Sequence, residues 1–426
     1  MDKLSTRQRR RWGAWIAAGG VALVLLLWGS RRGAPAPASP AALTGRHRCP
    51  KCAAAPLCEL EGTVYECGSI FDWRFYTTRH TKLANFSASE ATAHWLSKGI
   101  AEGRRSHAGR KTLKILLMTK DEWPLLRSWV LYHADLVGGS NLYIIDGSTD
   151  PDAVAFLEQA QCQLGVHVFR SDADLTQLSV LMTQLLRSLT LSSDFLLKLD
   201  TDEFLAVSEP DVSDVRHTFV GAPVLDYLDG LEIMGGRKLF TRRWQWGIPP
   251  AKCHGDPALS PEDTFKAPFV DEVRRKALFQ AASFAYVDLG SHGGRVREGF
   301  NNSDPVETDL VLIEFRYDCY DRWTANNRKA VLSHGYLSDY DSDAEAVEKL
   351  EALVNKSASL PKKLASIHKI ENYLGHLQDP EAWRRAFYAE FEGDKRIKFS
   401  ALRVLLERLH RQFDRQAGGR CRRSPA

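Results

Sequence analysis

The feature that most constrains this chain is an alternation between Leu113 and Leu199, where short apolar runs are separated by segments long enough to be helices. The runs Leu113–Met118, Leu142–Ile145, Val166–Phe169 and Phe195–Leu199 have the length of buried strands, too short for helices. Between them, 123–136 carries Leu125, Trp129, Tyr132 and Leu136 along one helical face. Asp150-Pro151 supplies an N-cap and a first-turn proline for a helix reaching about Leu164, and 175–191 is again helical in pattern. Strands joined by helices of this length pair in parallel through right-handed crossovers, with helices on both faces. The expectation is therefore an α/β fold with a mostly parallel twisted sheet. Such sheets bind ligands beyond the carboxyl ends of their strands. Acids stand at those positions: Asp121 and Glu122 after the first run, Asp146 after the second, and Asp200, Asp202 and Glu203 after the fourth.

Three carboxylates within four residues repel one another unless a cation sits among them, and hard divalent ions favour oxygen ligands. Asp-x-Asp alone is a poor signal, because Asp150/Asp152, Asp172/Asp174, Asp339/Asp341 and Asp341/Asp343 repeat it. Those pairs sit among turn and helix-start residues, whereas Asp200/Asp202 follows a strand-like run and precedes another apolar pair. That context predicts a metal site. Asp146, at a strand end, is placed either to receive a ribose or base or to open the next helix as an Asx-turn. No Gly-x-Gly-x-x-Gly or phosphate-loop motif follows the first strand, which argues against a dinucleotide oxidoreductase or an ATPase. A metal-dependent phosphoesterase would need more His and Asp ligands than the sequence offers. The formal net charge of +4 is small for 426 residues and gives no reason to expect a nucleic-acid partner.

The two ends have their own character. Residues 12–29 hold no charged side chain and follow the cluster Arg7-Gln8-Arg9-Arg10-Arg11, the pattern of a signal anchor with the N-terminus cytoplasmic. A cleaved signal peptide is the competing reading of the same stretch, with small residues at Ala34–Ala38. The expected organisation is a tail over 1–11, an anchor over 12–29, a Pro/Ala stem over 30–48, a cysteine-containing lead-in over 49–110, a catalytic domain over 111–342 and a helical extension over 343–426. Cys49, Cys52, Cys58 and Cys67 suit disulfides in an oxidising compartment, with a four-cysteine zinc site as the alternative. Sequons at Asn85, Asn301 and Asn355 permit glycosylation there.

Beyond residue 205 the pattern loosens. Residues 215–255 are rich in aromatics, with Phe240, Trp244 and Trp246 suited to core packing or to a sugar-binding groove. Strands are expected over 276–279, 284–287 and 311–315, then a helix with Tyr320, Trp323 and Lys329. Leu402, Leu405, Leu406, Leu409 and Phe413 form the apolar stripe of a helix that packs on the core. Residues 68–110 read as an exposed lead-in.

Taken in order, these segments resemble the glycosyltransferases of the A-type nucleotide-sugar fold, within the family 92 and family 2-like group. The matching stretches are Leu116–Glu122 with Trp129–His133, Tyr143–Asp150, and Leu199–Leu205, where Asp200-Thr201-Asp202-Glu203 is similar to the family's metal motif. More loosely, Lys276, His292 and the block Phe315-Arg316-Tyr317 with Trp323 and Lys329 fall where related enzymes carry a lysine, a metal-binding histidine and an aromatic-basic segment. The resemblance implies a type II Golgi membrane protein with a lumenal domain that transfers a sugar from a nucleotide-sugar donor to a glycan or glycoprotein hydroxyl. It implies Mn2+ or Mg2+ held by Asp202 and His292, with Asp200 on the metal or the ribose, and donor contacts from Lys120, Asp121, Glu122, Asp146 and Lys276. Glu203, Asp271, Glu272 and Glu314 all qualify chemically as the base, and the sequence does not choose. The alternative is an inactive lumenal relative that binds a nucleotide or glycan without turnover.

Overall fold

The computed structural model describes residues 57–60, 63–66 and 70–416, apart from 174, 210–216, 233–237, 248–255, 260–263, 267–274, 302–304, 318–319, 359–366 and 390–399. The expected anchor over 12–29 lies outside these residues. Among the described residues no helix is long and apolar enough to cross a membrane. Cys49, Cys52 and Cys67 and the side chain of Cys58 also lie outside them, whereas Cys162 is disulfide-bonded.

A short antiparallel hairpin, β1 (Leu57–Leu60) and β2 (Thr63–Glu66), precedes helices α1 (Trp73–Arg79) and α2 (Ala88–His94). This lead-in is not the exposed segment its mixed polarity suggests. Ile70, Phe71, Tyr76, Ala91, Trp95 and Ile100 form a buried cluster with Leu191 and Ala282 from later in the chain. The apolar residues are spread over helical turns, so their density along the sequence is low although they converge in space.

The expected alternation follows: β3 (Leu113–Thr119), α3 (Leu125–Val137), β4 (Leu142–Asp146), α4 (Pro151–Leu164), β5 (His167–Arg170), α5 (Leu175–Ser188) and β6 (Phe195–Leu199). Asp150 caps α4 as its sequence predicts, accepting from the Asp152 and Ala153 N–H groups. The second half adds β7 (Glu203–Ser208), β8 (Thr218–Phe219), α6 (Ala222–Gly230), β9 (Lys238–Gly247), β10 (Thr264–Lys266), β11 (Ala277–Gln280), a side hairpin of β12 (Phe284–Val287) and β13 (Gly294–Val296), and β14 (Val306–Tyr317). Helices α7 (Tyr320–Ser333), α8 (Asp343–Ala358), α9 (Ile367–Gln378), α10 (Pro380–Ala389) and α11 (Ser400–Gln416) complete it.

The main sheet runs β5-β4-β3-β6-β11-β9-β14-β7-β8, with β10 attached to β9. The half from β5 to β6 is wholly parallel. The other half is mixed: β11 pairs antiparallel with β6 and β9, and β7 antiparallel with β14 and β8, while β9 and β14 are parallel. Short connections such as the one from β6 into β7 leave no room for a crossover helix, so the helical alternation ends there.

Side chains alternate across the sheet as its period of two requires. On β3, Leu113, Ile115 and Leu117 join the core shared with α3, α4 and α11, while Leu116 joins the core beneath α5. Leu402, Leu406, Leu409 and Phe413 of α11 belong to the first of these cores, with Leu405 at its margin. The predicted amphipathic stripe is thus a packing face. Phe240 is buried in the second core with the Arg275 guanidinium 3.9 Å above its ring; the side chains of Trp244 and Trp246 lie outside the described residues.

Candidate active site

The carboxyl ends of β3, β4 and β6 meet at one edge, and their loops bond to one another. Asp121 has φ +53, a left-handed conformation that Asp tolerates because its short side chain bonds locally. Its Oδ1 accepts from the N–H of Thr149 at 2.7 Å and of Asp150 at 2.8 Å, and its own N–H donates to Ser148 Oγ at 2.9 Å. Burial would raise the Asp121 pKa, but these donors outweigh it and hold the carboxyl below its ordinary value. Asp146 is fully buried; its Oδ1 accepts from the Ser148 N–H at 2.9 Å and its Oδ2 is paired with Arg170. Asp146 thus makes an Asx-type turn and an ion pair, while the next helix is opened by Asp150. Lys120 is exposed, and its carbonyl accepts from Lys329 Nζ at 2.9 Å. The same ammonium pairs with Glu122, which ties α7 to this edge.

The acids after β6 form a separate group. One carboxylate oxygen from each of Asp200, Asp202 and Glu203 lies within 4.8 Å of the others. Two fully buried lysines address Asp200: Lys198 Nζ pairs with Oδ1, and Lys276 Nζ lies 2.5 Å from Oδ2. Burial pushes the Asp200 pKa up, yet the two ammonium groups prevail and hold it well below the carboxylate range. Glu203 is also internal. Its Oε2 accepts from the Asp200 N–H at 2.9 Å and stands 3.3 Å from Lys276, while its carbonyl accepts the Trp129 indole N–H at 2.7 Å.

Asp202 differs from both. Among the described residues no hydrogen bond or ion pair engages its partly exposed carboxylate. Burial first, then the charges of Glu314, Glu203, Asp200 and Glu122, push its pKa well above the ordinary value. An acid in such a surplus of negative field is where a cation gains most, and an all-oxygen donor set suits Mg2+ or Mn2+. The residues present therefore fit a divalent ion, with Asp202 as its carboxylate.

His292 stands outside the 4.8 Å group, in the turn before β13. Its Nδ1 donates to the Arg275 carbonyl at 3.2 Å, which puts the ring proton on Nδ1 and the lone pair on Nε2, the tautomer that metal-bound histidines use. Lys276, expected to contact the donor, is fully buried in the structure. Its ammonium is directed at Asp200, Glu203 and the Gly290 carbonyl, the last at 2.8 Å. Of the candidate bases, Glu203 and Glu314 face each other across the β7–β14 pair and are both buried, while Asp271 and Glu272 lie outside the described residues.

Sequence reasoning does not reach Lys198 or Arg170. Lys198 carries a signal that could have found it: two residues from Asp200 on an extended chain, it projects to the same side. Arg170 lies beside Asp146 only because β4 and β5 pair in register, Asp146 opposite Arg170.

No protein-family model and no curated protein matches the chain. Among solved structures it is similar to S. aureus TarS 1-349, at 10% identity and a TM-score of 0.30, covering 71% of this chain and 91% of that one. The same TarS fragment in complex with UDP-GlcNAc gives 12% identity and a TM-score of 0.30 over 71% and 88%. Mannosyl-3-phosphoglycerate synthase from Rubrobacter xylanophilus gives 14% and 0.23 over 55% and 77%. Likenesses this distant identify neither a family nor an activity.

Proposed function

We propose that the protein is a metal-dependent glycosyltransferase that moves a sugar from a nucleotide-sugar donor to a glycan or glycoprotein hydroxyl. The observation that carries this reading is Asp202: a carboxylate that no described residue engages, in a field of four other acids, at the carboxyl edge of a parallel half-sheet. A divalent ion bound there would neutralise the charge that develops on a departing nucleoside diphosphate. The protein's own part is to hold that ion through Asp202, with the His292 imidazole as a second donor, and to shape the donor cleft. The bonded loops of Asp121, Asp146 and Ser148 would form its nucleotide side, and the Lys329–Glu122 pair would fix α7 along its rim. The location that goes with this activity is the lumen of the secretory pathway, behind an anchor at 12–29. The disulfide at Cys162 and the exposed sequon asparagines Asn85 and Asn355 suit an oxidising, glycosylating compartment; Asn301 is half-buried.

The test is nucleoside diphosphate release from a panel of nucleotide sugars with and without Mn2+. Release should require the metal and fall about 100-fold or more in Asp202→Asn, in the range seen when one electrostatic stabiliser is removed. Full activity of Asp202→Asn would overturn the assignment, and nucleotide binding without turnover across the panel would favour the inactive relative.

A further inference from the structure

The two lysines beneath Asp200 carry an inference that rests on the reading above and sharpens it. Lys198 on β6 and Lys276 just before β11 are fully buried, and each takes a different oxygen of the same carboxylate. Lys276 also stands 3.3 Å from Glu203 and donates to the Gly290 carbonyl at 2.8 Å, so the three protons of its ammonium have three oxygen acceptors. Both side chains are buried to their ends, and the partners of both ammonium groups are internal oxygens. Their charge is spent inside the fold, on the acids that look like metal ligands.

The charge count is then informative. Asp200, Asp202 and Glu203 bring three negative charges, and Lys198 and Lys276 return two positive ones. A cation approaching Asp200 would come within a few ångströms of both ammonium groups, which repel it at that range. Of the three clustered carboxylates, Asp202 is the one left for it. With two ammonium groups already among its acids, the site holds a divalent ion less firmly than the acids alone would, whereas a diphosphate adds the oxygens and charge that complete the ion's shell.

We propose that Lys198 and Lys276 are positioning residues that act as resident counter-cations. They withhold Asp200 and Glu203 from the metal, so that the ion binds firmly only together with the nucleoside diphosphate. The two lysines thereby make metal uptake depend on the nucleotide, and an ion cannot occupy the site productively ahead of it.

The sign of the effect separates this role from a structural one. Lys198→Gln and Lys276→Gln each keep a hydrogen-bond donor toward Asp200 and remove one positive charge. Mn2+ affinity of the full chain, measured by calorimetry and by the free-Mn2+ paramagnetic resonance signal, should rise about 10-fold in each variant without nucleotide. Wild type should bind Mn2+ at least 10-fold more tightly with UDP or GDP than without, and that gain should shrink in the variants. Lys198→Arg and Lys276→Arg should behave as wild type. A lysine that merely supports the fold would give unchanged or weaker Mn2+ binding on replacement, and that result overturns the inference. Both ammonium groups act on one carboxylate, so their effects need not add, but either Gln variant that folds gives the sign and decides. Nucleotide-dependent Mn2+ uptake that Asp202→Asn abolishes, with the Gln variants unchanged, leaves the transferase reading standing and removes only this inference. No Mn2+ uptake by wild type with either nucleotide removes both.

Discussion

Asp256 offers a stability prediction whose size can be worked out. Its Oδ2 accepts the Ser128 hydroxyl at 2.5 Å, and its Oδ1 accepts the Ala258 N–H at 2.9 Å. Ser128, fully buried on α3, in turn meets His410 Nε2 of α11 at 2.8 Å. Burial raises the Asp256 pKa from its ordinary 3.8 to about 6, even though Ser128, the Ala258 N–H, Arg322 and Arg127 all pull it down. An acid with a raised folded-state pKa takes up a proton on folding. Its contribution to stability is therefore fully present below pH 3.8 and is lost as the pH rises through 6. The difference corresponds to about 3 kcal/mol at pH 8, an upper figure because water reaches part of the group. Asp256→Asn keeps the shape and cannot ionise. The hydrogen-bond chain from the introduced amide through Ser128 to His410 remains satisfiable, because burial lowers the His410 pKa to about 4 and the neutral ring can accept. Urea unfolding of both proteins at pH 4 and pH 8 is the assay, since the difference between variants cancels the titrating groups that lie outside this hydrogen-bond chain. Asp256→Asn should be near wild type at pH 4 and about 1–3 kcal/mol more stable at pH 8. A difference that does not change with pH would refute the reasoning.

Two further outcomes follow from packing. Asn327 of α7 is 1% exposed, and among the described residues neither its Oδ1 nor its Nδ2 has a hydrogen-bond partner; Asn327→Leu should raise stability by about 1–3 kcal/mol in urea unfolding. Leu406, fully buried on α11, should cost about 2–5 kcal/mol on change to Ala, with a lower midpoint and an unchanged slope.

The parallel half of the sheet was legible because β3, β4 and β6 bury both faces and so read as nearly continuous apolar runs, and because each intervening helix shows its own period; β5, the exposed edge strand, was placed by its spacing from them. The mixed half was not. β7 follows the acids directly, and β9 is long and interrupted by charge, so neither stands apart from its surroundings. Within the candidate site, Asp121, Asp146 and Asp200 could be placed at one edge from strand order alone. What they do there depends on partners far away in sequence. Lys276 reaches Asp200 across 76 residues, and Lys329 reaches Glu122 across 207. A lysine inside an apolar run, as Lys198 is, reads as an interruption until its acid is found, and nothing near Lys276 in the sequence points to Asp200.

The docking of α11 on α3 also bears on how the protein is made. Ser128 and His410, which meet in that interface, are 282 residues apart. During synthesis the acids of the site and the strands that carry them emerge long before the helix that covers α3. Until then part of the first core has no lid, a state open to aggregation and to chaperone capture. A chain stopped before Ser400 would contain every residue assigned to the site and still lack the apolar stripe that closes its core, so C-terminal truncations should fail in yield and solubility before they can be assayed for chemistry.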